Sequence, residues 1–172
     1  MGKFKKLIFL IIFIGLVYFG AIQLGFIGGL DQVKAIDAKY GVGAGKLIPA
    51  TMDELEQYGS ELQGLNASGD TKEVVAVKLE LIEMQKSLLE YSENVSQIDF
   101  DAPNCSVSGS IVKARNAAEK AVHNADNALQ KRNNLSKNIS GFGYLIHEDF
   151  DTTLNAVKSS LEGPINTLKT IC

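Results

Sequence analysis

The sequence predicts an all-α protein: an N-terminal transmembrane helix followed by an extracytoplasmic antiparallel bundle of about four helices. Three observations carry this. Residues 7 to 30, "LIFLIIFIGLVYFGAIQLGFIGGL", hold no charge. Beyond residue 50 the apolar residues recur three and four apart, the period of a helix with one buried face. No stretch alternates as a strand would. The 172-residue chain then divides into an anchor or uncleaved signal at 1–30, a Gly-containing linker at 31–50 and a helical ectodomain at 51–172.

The uncharged segment is 24 residues long, with Gln23 its one strongly polar residue. About 20 apolar residues cross a bilayer as a helix. Lys3, Lys5 and Lys6 precede it, which puts the N-terminus in the cytoplasm and the rest outside a plasma membrane crossed once. A cleavable signal has a shorter apolar core, about 7 to 15 residues, and closes on an A-x-A-like pair. Here Phe19 stands two before Ala21, and Gln23 two before Gly25. The reading is an anchor, with cleavage as its alternative.

In the ectodomain the first helix starts at Thr51 and Glu54, which have capping-box spacing, and carries the stripe Leu55, Tyr58, Leu62, Leu65. A second starts at Asp70 with Glu73. Its seam is Val74, Val77, Leu81, Met84, Leu88, Tyr91, Val95, Ile98, widened by Val75, Ile82 and Leu89. A two-stranded coil needs one seam, so the wider face points to a bundle. A third, over about 110–140, has the seam Ile111, Ala114, Ala118, Ala121, Ala125, Ala128, Arg132, Leu135, Ile139, where Arg132 is read as snorkelling to the edge. A fourth carries Phe150, Leu154, Val157, Leu161, Ile165 and Leu168, with Gly163-Pro164 expected to kink or split it.

Five Asn-x-Ser triplets begin at Asn66, Asn94, Asn104, Asn134 and Asn138. They fit the N-glycosylation acceptor pattern, against roughly one triplet expected by random placement. Asn134 and Asn138 are predicted to share a helix face, so two sugars would shield one side. The alternative is a plain polar surface in a host that does not glycosylate. Cys105 and Cys172 are predicted to pair outside the cell. Their loop of about 67 residues is worth on the order of 4 kcal/mol; the alternative is two buried free thiols.

Other chemistry finds little support. "YGVGAGKL", residues 40–47, lacks the Ser or Thr, the leading glycine and the strand of a phosphate-binding loop. "DFDAPN" offers Asp99, Asp101 and Asn104, but Asn104 and Ser110 occupy the sixth and twelfth positions where an EF-hand needs glycine and an acid. His123 and His147 lack metal-ligand spacing, and no nucleophile has a paired base in the sequence. Beyond residue 30 stand 14 basic and 20 acidic residues, a net −6, which opposes a nucleic-acid partner.

The layout resembles that of the LemA family, and "LIPATMDELEQY" and "IVKARNAAEKAV" are similar to stretches of it. The aromatic-containing helix expected before "LIP" is missing, and "AAEK" and "ADNA" replace the tyrosine–asparagine pairs expected after "AR". These stretches cover less than a fifth of the chain, and no residue role is carried over.

The sequence therefore points to a non-enzymatic cell-surface module, without cofactor or metal. It meets the bilayer through 7–30 and a protein or envelope partner through its helices, with oligomerisation left open. The alternatives are a ligand-sensing four-helix bundle with a separate signalling partner, and a pilin-like filament subunit.

Overall fold

The computed structural model describes residues 29–43, 45–98, 108–135, 139 and 141–170. The described chain is all-α. It holds α1 (Gly29–Lys39), α2 (Met52–Gln63), α3 (Gly69–Ser96), α4 (Ser108–Arg132), a 3-10 turn (Gly143–Leu145) and α5 (Glu148–Thr170). All but the last two residues of the predicted span, 7–30, lie outside the description. Among the described residues no helix is long and apolar enough to cross a membrane.

Three long helices form the frame. Glu83 meets Lys120 at 3.3 Å and Glu80 meets Lys131, while Ile98 and Ile111 share a small apolar cluster. Residue numbers fall on α3 as they rise on α4, so the two run antiparallel. Arg132 meets Asp151, Asp126 meets Lys158 and Glu119 meets Lys169, which sets α5 antiparallel to α4. The extensive packings are α3 on α4 and α4 on α5.

The alanine seam explains that row. Ala114, Ala118, Ala121, Ala125 and Ala128 are fully buried. Alanine gives the strongest helix propensity and the slimmest side chain, so neighbouring backbones come close. Bulk comes from opposite: Val74, Val77 and Leu81 on α3, Leu154 and Leu161 on α5 are buried. Toward its C-terminal end the α3 seam loosens, with Leu88, Tyr91 and Val95 half-buried. α2 leans on α3 at Gly59, where Ile82 would stand 3.6 Å from an added Cβ.

Several boundaries differ from the sequence reading. The "linker" 31–50 is helical through Lys39, and Leu30, read as anchor, packs on the core. A helix therefore does stand before "LIP", though its aromatic, Tyr40, follows the last helical turn. Gly41 ends it in the left-handed region at φ 63°. The Gly41 amide donates to the Ala38 carbonyl at 3.3 Å and the Val42 amide to that of Asp37 at 2.8 Å, a Schellman stop. Of the two capping boxes, Thr51 accepts from the Glu54 amide at 3.4 Å. At α3, however, the helix begins at Gly69 and Asp70 lies in its first turn.

α4 stops at Arg132, well short of residue 140, and the chain turns through Leu135. Arg132 does not simply snorkel: it donates to the Ile146 carbonyl at 3.0 Å and pairs with Asp151 at 3.0 Å, tying α4's end to α5's start. α5 carries Pro164 without splitting.

Replacing fully buried Leu81 by Ala is expected to cost about 2–5 kcal/mol in urea unfolding; a loss under about 0.5 kcal/mol would mean that the α3 core face is misplaced.

Candidate functional site

The sequence reading passed over the residue at the centre. Lys78 is fully buried, 0% exposed. It stands between Val75 and Ile82 at helical spacing, filling the gap in the second apolar stripe of α3. Its Nζ lies 2.9 Å from Asp37 Oδ2 of α1 and donates to the Tyr144 hydroxyl at 2.7 Å. The Phe142 and Tyr144 rings flank the ammonium, with centroids at 5.4 and 5.3 Å. Tyr58 of α2 donates to Asp37 Oδ1 at 2.6 Å, and Tyr144 donates to Oδ2 at 3.3 Å. One carboxylate thus gathers an ammonium and two phenols from α2, α3 and the 3-10 turn.

Local structure places each member. Asp37 belongs to α1's inner face, four residues after buried Val33. Gly141 lets the chain fold down onto α1: its φ is 86°, and an added Cβ would lie 2.3 Å from Lys34 Cε. That turn sends Phe142 into the core and Tyr144 onto Lys78. At the C-terminal end of α1, the Tyr40 hydroxyl donates to Glu61 at 2.7 Å, Lys39 pairs with the same carboxylate, and the Tyr40 ring meets that of Tyr58 edge-on at 5.3 Å.

Burial penalises the charged form of each group. It pulls the Lys78 ammonium below the ordinary lysine range, with Asp37 opposing that shift. Burial, then the bond to Asp37, pushes the Tyr58 phenol up; burial and the nearby Asp37 charge do the same to Tyr144. Lys78 has no open face for a reactant, and the hydroxyls are spent on Asp37. The cluster acts as a brace.

Beside it lies a groove of about 620 Å³ between α3 and α5. Leu81, Met84, Leu88, Leu154 and Val157 line it, Leu47 and Ile48 close one edge, and Tyr144 forms part of its wall. His147 and Asp149, 3.0 Å apart, stand exposed at the rim. Among the described residues no group of three or more His, Cys, Asp or Glu could hold a metal ion. In "YGVGAGKL", Gly43 and Lys46 form an isolated bridge, and Lys46 donates to the Tyr40 carbonyl at 3.3 Å.

Of the other sequence-derived residues, Asn104, Asn138, Cys105 and Cys172 lie outside the description, as do Asp99 and Asp101. Asn66 is exposed between α2 and α3. Asn94 is half-buried near the end of α3 and donates to the Glu90 carbonyl at 2.7 Å. Asn134 is exposed, but in the turn after α4. The shared helix face proposed for it and Asn138 required α4 to reach residue 140, and it does not. His123 is exposed within 3.3 Å of Asn127.

Fold and site together define a class: an all-α bundle braced by a buried ion pair beside an apolar groove. Compared with known proteins, the chain matches no family model, no curated protein and no solved structure.

A pH dependence follows from Tyr58. Its folded-state titration is raised above the ordinary value near 10. The stability it contributes is therefore complete below about pH 10 and is lost as pH rises further, by about 1.4 kcal/mol per unit. Tyr58→Phe should be less stable than the parent at about pH 8, and the gap should narrow by that slope above about pH 10 in urea unfolding. A gap unchanged up to about pH 11 would contradict the raised titration.

Proposed function

We propose that the protein is a membrane-anchored, glycosylated cell-surface helical bundle. It acts as a non-enzymatic structural or protein-interaction module. One observation carries the reading: the uncharged residues 7–28, ahead of α1 and behind Lys3, Lys5 and Lys6, are numerous enough to cross a bilayer with the basic flank inside. Gly29 and Leu30, the last two residues of the predicted span, belong to α1, and α1 is tied to the bundle through Asp37. Asn66 and Asn134, both exposed, offer open acceptor positions. Ile98 and Leu168 share a cluster, which supports a Cys105–Cys172 bridge because each cysteine lies a few residues beyond one of them.

A second reading, ligand sensing with a separate signalling partner, is favoured by the groove. Its volume of about 620 Å³ falls in the range of small-molecule sites, about 300–1,000 Å³.

Protease added to intact cells should remove the domain from α1 onward and spare the extreme N-terminus. Recovery of the intact domain from the medium, cut ahead of α1, would show a cleaved signal and overturn the anchor.

A further inference from the structure

We propose that the groove between α3 and α5 is a binding site for a small apolar amine, whose hydrocarbon body lies in the groove and whose ammonium stays at the mouth beside Asp149. The assignment deepens the ligand-sensing reading above and rests on it. The first ground is uncovered apolar surface. Leu47, Ile48, Leu88 and Val157 line the groove and pack on the hydrophobic core, yet each is only half-buried. They come from the loop before α2, from α3 and from α5, so they wall a concavity and not a flat patch. Its volume of about 620 Å³ suits a small molecule. Covering those walls is what supplies affinity, since apolar surface leaves water.

The second ground is charge at the mouth. Asp149 is the one carboxylate among the described lining residues, and no Lys or Arg stands among them. Exposed Glu148 adds a second negative charge beside it, while Asp151 is paired with Arg132 at 3.0 Å. Two wall hydroxyls are already spent: Tyr144 serves the brace, and Thr153 donates to the Asp149 carbonyl at 2.7 Å. The Asp149 side chain is 86% exposed, so a cation beside it keeps its water. One drawn in among the leucines would lose that water at high cost. From Asp149 to Val157 runs roughly 12 Å of α5, along which the body extends. Attraction at so exposed a carboxylate is weak. It selects the sign of the head, while the apolar walls hold the body.

Methyl NMR of the methionines in the full chain, held in phosphatidylcholine nanodiscs, tests this. Met84 lines the groove and Met52 does not, so binding there is read apart from partition into the bilayer. Phenylbutylamine and phenylbutyrate share one apolar body and differ in the sign of the head. At about pH 8, above the ordinary imidazole range, the amine should shift the Met84 methyl saturably and leave Met52 in place. Phenylbutyrate should bind at least about fivefold more weakly, the order of an exposed charge pair. Asp149→Asn should still bind the amine, with that preference narrowed to about twofold or less. No saturable Met84 shift with either probe would remove the groove as a ligand site, and the ligand-sensing reading with it. Equal affinities, a preference for the carboxylate, or a preference that survives Asp149→Asn would leave a ligand site standing and overturn the amine.

Discussion

An ammonium with no exposure has to be answered by the fold around it, and the arrangement of the smaller elements follows from how Lys78 is answered. An unpaired charge in such a place is far more costly than a buried apolar group. Lys78 sits in an apolar stripe of α3, so its carboxylate must come from another element. That element is α1, through Asp37. A carboxylate buried there in turn needs donors for its remaining lone pairs. Tyr58 brings α2 and Tyr144 brings the 3-10 turn. Replacing such a cluster by apolar residues is often neutral or stabilising elsewhere. Its contribution here is to fix which surfaces meet: one register of α1 and one path of the 141–146 segment satisfy all its hydrogen bonds.

The long row of α3, α4 and α5 rests on different physics. Its alanines bring backbones close and leave little volume at the centre, so the bulky residues of α3 and α5 reach over them. Where those side chains meet, they are buried; where they diverge, the groove remains. The same small residues that make α4 a strong helix thus leave an apolar opening next to the brace. Tyr144 belongs to both, its hydroxyl in the brace and its ring in the wall of the groove.

Much of this was legible in the sequence. The seams of α3, α4 and α5 were read position by position, because burial follows helical period and the long helices are held by it. The half-buried state of Leu88, Tyr91 and Val95 was not legible, since period reports a face and not how far a partner extends along it. α1 was missed because glycines dominated the reading of its surroundings. Yet Leu30, Val33 and Asp37 keep helical spacing, and Gly41 stands where a helix stop belongs. Lys78 has no place in a reading built on apolar positions alone, although a charge in mid-stripe, between Val75 and Ile82, signals a partner elsewhere in the chain. That partner was 41 residues away, beyond the reach of any local pattern.

The measurement that bears most directly on the brace is a double-mutant cycle on Asp37→Leu and Lys78→Met, read by urea unfolding. Each single change strands one buried partner and is expected to cost about 3–5 kcal/mol. The double change removes both charges together. The account predicts that it costs at least about 2 kcal/mol less than the two single losses combined. Losses that add within about 0.5 kcal/mol would show that Asp37 and Lys78 act independently, and would remove the ion pair from the centre of the fold.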